Sequence, residues 1–163
     1  MPADCALSLP EFGGVHLALP AVLVLQAVVA TDRPADVVRQ ATHAVEVDSA
    51  GPALARWRAS LARDSSDLGA LLGVATITRL TYEDASADRL YAMVAAATAP
   101  GSSYAAWAAL GRAESRLYHA PLDSASAWFV TAVKAARSAN DSVAVAQALF
   151  GLTISRLRRE SAA

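Results

Sequence analysis

Residues 104–137 read YAAWAALGRAESRLYHAPLDSASAWFVTAVKAAR. Two alanine-rich stretches of helical length flank a break at His119-Ala120-Pro121-Leu122-Asp123. In the first, Trp107 stands one turn before Leu110-Gly111; in the second, Ala125, Phe129 and Ala132 recur at spacings of four and three. Both spacings gather residues on one helix face, so the segment reads as a helical hairpin. Moving outward, the pairing of a large apolar residue with glycine returns at Leu72-Gly73 and Phe150-Gly151, with glycines 38 and 40 residues apart. An aromatic, Tyr91 or Phe129, follows each of the first two glycines by 18 residues. A unit of this period buries its apolar face only by stacking on its neighbours, which predicts a solenoid with a groove.

The same periodicity extends across the chain. Pro34 opens a helix carrying Val37, Val38, Ala41, Ala44 and Val45 to about residue 47, and Asp48-Ser49-Ala50-Gly51-Pro52 ends it. A second helix over 53–63 presents Leu54, Trp57 and Leu61, and the capping residues of Asp64-Ser65-Ser66-Asp67 follow. Further helices are expected over 68–80, 86–98, 104–118, 124–137 and 142–159, separated by turn segments such as Ala99-Pro100-Gly101-Ser102-Ser103. Three hairpins and a final unpaired helix result, an all-α chain with short connections.

Hydrophobic residues make up 55% of the 163, enough for one domain with a real core, and alanine supplies much of that fraction. Alanine favours close-packed helices over sheets. The formal charge is −1, from 14 basic and 15 acidic residues, which gives no basic excess for binding nucleic acid. Cys5 is the only cysteine, so an internal disulfide and a multi-cysteine metal site are excluded.

Residues 1–30 differ in kind from the rest. The run VHLALPAVLVLQAVVA over 15–30 has no formally charged side chain apart from what His16 carries, and is shorter than the roughly 20 residues of a membrane span. Small residues at Val28-Val29-Ala30 resemble the approach to a cleavage point, yet Asp4 and Glu11 stand where a signal peptide carries Lys or Arg. Three readings stay open: an export signal, an uncleaved membrane anchor, and an apolar helix packed on the domain. The first places the protein in the bacterial periplasm or another extracytoplasmic space; without it the chain is cytoplasmic. Residues 31–163 then form the repeat domain.

On these residues the chain resembles the tetratricopeptide repeat family, in which an aromatic and a Leu-Gly mark the first helix of each pair and a small, aromatic, small pattern marks the second. Residues 104–137 carry it through Trp107, Leu110-Gly111, Ala125, Phe129 and Ala132; residues 67–98 keep Leu72-Gly73, Ala87 and Tyr91, with Val94 bulkier than the pattern. Residues 35–63 follow more loosely, with Ala41 in the glycine role and Ala53, Trp57 and Ser60 after it. The resemblance implies a right-handed α-solenoid whose glycines let the helices of a pair touch, while the aromatics fill space against the next repeat. It also implies a groove lined by the first helices.

No catalytic constellation emerges. His43 and Glu46 share a helix face, too few for a metal, and His119 reads as a solvated turn residue. No serine has a nucleophile-elbow context, and no glycine pattern binds phosphate. No cofactor is expected. If the first helices line the groove, Arg112 and Arg116, with Arg156 on the next helix, are candidates to clamp a peptide carboxylate; the alternative is a solvated face paired with neighbouring carboxylates. The last helix carries more apolar residues than a clean cap, so Leu149, Phe150 and Ile154 are candidates for a homo-oligomer or next-repeat surface. The expected function is a non-enzymatic scaffold for a protein or peptide, with no nucleic-acid partner and a membrane role only if residues 15–30 remain as an anchor. The alternatives are a recruitment module of a larger signalling enzyme and a self-assembly module.

Overall fold

A computed structural model describes residues 33–119 and 121–161. These form seven α-helices and no strand: α1 (Pro34–Glu46), α2 (Ala50–Arg63), α3 (Leu68–Leu80), α4 (Asp84–Ala96), α5 (Ser103–Arg116), α6 (Leu122–Ser138) and α7 (Ser142–Ser161). The expected helices are all present, with boundaries shifted by up to three residues. The largest shift is in α2, which begins at Ala50 because Pro52 fits the first turn, where its missing N–H costs nothing. The leader readings on residues 1–30 lie outside the described residues.

Local chemistry explains where the helices start and stop. Asp67, Ser102 and Asp141 cap α3, α5 and α7, their side chains accepting from the backbone N–H of Ala70, Ala105 and Ala144. At their other ends, α1, α3 and α6 finish with a left-handed residue, Asp48, Tyr82 and Asn140. The next N–H then bonds back to the carbonyl five residues earlier, as from Ser49 to Ala44, Glu83 to Thr78 and Asp141 to Ala136. Asp and Asn tolerate this conformation well. Tyr82 has no such aptitude, and its ring lies almost fully in solvent.

The helices pack in two layers. α1 lies against α3, α3 against α5 and α5 against α7, while α2, α4 and α6 each lie against the first helix on either side of them. α1 also reaches α5, so the first helices converge on one side of the stack.

What sets the spacing between successive hairpins is one repeated contact. A Cβ on Gly73 would stand 2.6 Å from the Trp57 ring of α2. On Gly111 it would stand 2.2 Å from the Tyr91 ring of α4, and on Gly151 it would stand 2.1 Å from the Phe129 ring of α6. Each aromatic of a second helix therefore occupies the space that a side chain would take on the first helix of the next hairpin. The aromatics act as expected, filling space against the next repeat. The glycines do not simply allow the two helices of one pair to touch, because the atoms pressed against them belong to the preceding hairpin. Tyr91 and Phe129 are fully buried, and Trp57 nearly so.

This contact predicts the cost of adding a side chain at the glycine. Gly111→Ala drives a methyl group into the Tyr91 ring and should lower stability in urea denaturation by about 1–3 kcal/mol, the usual cost of overpacking.

Candidate functional site

The converging first helices enclose a groove whose deeper part measures about 590 Å³. Val38 and Thr42 of α1 form one wall and Gln147, Phe150 and Ile154 of α7 the other, with Trp107, Leu110 and Glu114 of α5 between them. The positions on α5 and α7 recur at three- and four-residue spacing, so each helix presents one continuous face. Tyr91 and Phe129 also reach this floor, because Gly111 and Gly151 leave room for their rings between the first helices.

The groove opens into a more polar mouth of about 1020 Å³ bordered by α1, the start of α5 and the start of α7. Charges there are largely paired. Arg39 meets Asp36 at 2.8 Å, and His43 stands 4.0 Å from Glu46, both exposed contacts within α1. Asp141 uses one oxygen to cap α7 and the other to accept from the Trp107 indole N–H at 2.9 Å. That bond ties the floor of the groove to its α7 wall.

The deep part holds one cation and one anion. Arg79 Nη2 lies 3.2 Å from Glu114 Oε2, the two side chains being 20% and 29% exposed. Burial raises the Glu114 carboxyl above the usual carboxylate range, with Arg79 opposing that shift. Burial also works against the charge on Arg79, but Glu114 and Tyr91 more than offset it and its pKa is raised. The Tyr91 hydroxyl donates to Thr76 Oγ1 at 3.2 Å, and burial pushes its pKa up, so it serves as a neutral donor. The groove thus combines apolar walls with a small convergent polar group, the usual form of a recognition pocket.

The candidate arginines stand elsewhere. Arg112 Nε meets Asp88 Oδ1 at 3.0 Å and Arg116 Nη2 meets Asp88 Oδ2 at 2.7 Å, so both bind one carboxylate of α4. Their guanidinium groups also lie over the Trp128 ring of α6, at 5.0 and 4.0 Å from its centre. This cluster occupies the side of α5 opposite Trp107, Leu110 and Glu114. Arg156 is exposed on α7, on the side away from Gln147, Phe150 and Ile154. The structure brings Arg112 and Arg116 together and leaves Arg156 apart. Of the candidate α7 surface, Phe150 and Ile154 line the groove, whereas Leu149 is exposed on another face. His119 is exposed as a turn residue should be, but it is not simply solvated, because its Nε2 stands 2.6 Å from Asp84 Oδ2.

Arg79 and Glu114 were not anticipated by the sequence reading. The available signal was Glu114 itself, an acid one turn after Gly111 on the face shared by Trp107 and Leu110. Among the described residues, no group of three or more His, Cys, Asp or Glu side chains is placed to hold a metal ion, and no helix is long and apolar enough to cross a membrane.

The ion pair predicts non-additive stability. Arg79→Met and Glu114→Met should each cost about 1–2 kcal/mol, less than for a fully buried pair because both groups touch solvent. The double variant should return to within about 1 kcal/mol of the parent in a denaturation cycle.

No protein-family model matches the chain, and no curated protein or solved structure shows significant similarity to it.

Proposed function

We propose that the chain is a binding scaffold built as a right-handed helical-repeat solenoid similar to tetratricopeptide repeat proteins, taking a peptide or protein segment into the groove between α1 and α7. The observation that carries this reading is the groove itself, with apolar walls on α1 and α7 and the Arg79–Glu114 pair in its deep part. Affinity would come from burying apolar side chains of the partner against Val38, Leu80, Phe150 and Ile154, with polar groups fixing register. The chain performs no chemistry of its own in this reading, whether it acts alone or recruits a partner for a larger enzyme. An extracytoplasmic location, with residues 1–30 as the export signal, belongs to the same proposal.

Selection of random dodecapeptides displayed on phage tests the proposal. The parent protein should enrich a sequence class rich in apolar residues, and Ile154→Arg should weaken those peptides at least tenfold while leaving the circular dichroism spectrum unchanged. Failure to enrich any class, or peptides indifferent to Ile154→Arg, would contradict it.

A second reading, self-assembly through α7, rests on the exposure of that helix. Phe150 is 69% exposed, and Val143, Leu149 and Leu157 on the same helix are also exposed. If α7 joins two copies, light scattering should give a concentration-dependent mass that Phe150→Glu reduces to a folded monomer. A monomer for both chains at all concentrations would remove this reading and leave the groove as the working surface.

A further inference from the structure

Resting on the groove reading above, we infer that the Arg79–Glu114 pair makes the groove selective for an uncharged, amide-bearing apolar segment, against both acidic and basic ones. Among the described residues, Arg79 and Glu114 are the only formally charged ones lining the deep part of the groove. They neutralise each other at 3.2 Å, and both remain partly accessible. Their hydrogen-bonding capacity is not exhausted by the pairing. A guanidinium has five N–H donors and a carboxylate two acceptor oxygens.

A neutral amide matches what remains. Its carbonyl accepts from the guanidinium while its N–H donates to the carboxylate, so each charge gains a partner and neither loses one. A ligand carboxylate at this position competes with Glu114 for Arg79 and is repelled by Glu114. A ligand ammonium meets the mirror-image problem. Once a bound apolar segment covers the pair and displaces water, a charge left unmatched there is expensive.

Among the described residues, no arginine other than Arg79 lines the deep part of the groove. Arg112 and Arg116 are committed to Asp88 and Trp128 behind α5. At the mouth, Arg39 is paired with Asp36. The groove therefore complements a segment of no net charge, with a glutamine or asparagine side chain placed between apolar residues.

The test uses three mixtures of N-acetylated, C-amidated hexapeptides with Ala, Leu, Val and Phe randomised at five positions and Gln, Glu or Lys fixed at the third. Binding to the full chain is measured by isothermal titration and by displacement of the Trp107 indole resonance. The glutamine mixture should bind at least about tenfold more tightly than either charged mixture, as expected when one covered polar group is left unmatched. Glu114→Gln, which leaves Arg79 uncompensated, should move the preference to the glutamate mixture. Arg79→Gln should move it to the lysine mixture. Equal binding of all three by the parent chain, or preferences unmoved by the two variants, overturns the inference while leaving the groove reading in place. No binding of any mixture, with the Trp107 resonance unmoved, overturns both.

Discussion

The architecture depends on a ring set into a glycine. In three successive places the aromatic of a second helix occupies the volume that any side chain on the next first helix would need, Trp57 on Gly73, Tyr91 on Gly111 and Phe129 on Gly151. The contact does two things. It removes a large aromatic from water, and it fixes how near one hairpin approaches the next, because a ring against backbone has little freedom to slide. Hydrogen bonds reinforce the spacing without setting it, as where Trp107 reaches Asp141 at the start of α7.

From that contact follows the division of α5 into two working faces. Toward the groove it shows Trp107, Leu110 and Glu114. On the other side, Arg112 and Arg116 grip Asp88 of α4 and stack on Trp128 of α6, joining three helices through one carboxylate and one indole. Two arginines one turn apart would look like a clamp for an external anion if α5 stood alone. In the folded chain the anion is already supplied from within, and the groove is lined instead by the apolar walls and the Arg79–Glu114 pair.

Much of the fold was legible in the sequence because its signals are local. Pro34, the capping residues of Asp64-Ser65-Ser66-Asp67 and the Leu-Gly pairs mark helices without reference to tertiary contacts, and all seven expected helices are present within about three residues at their ends. The aromatic spacing also showed which residues would pack between repeats. The face of the groove was harder to read, because it depends on how strongly the first helices converge, and no residue spacing states that α1 reaches α5. Arg79 and Glu114 lie 35 residues apart in the chain and become neighbours only where α3 packs on α5. The role of the glycines was half visible: smallness was evident, but the ring that fills the notch comes from the hairpin before.

The most direct test of the account is a nuclear Overhauser experiment on the Hα protons of Gly73, Gly111 and Gly151. The structure predicts cross-peaks from these protons to the ring protons of Trp57, Tyr91 and Phe129 respectively, with each glycine displaced by ring current from ordinary helical positions. Glycine resonances at ordinary helical positions, with cross-peaks only to side chains of their own hairpin, would contradict the interlocked stack and the groove that rests on it.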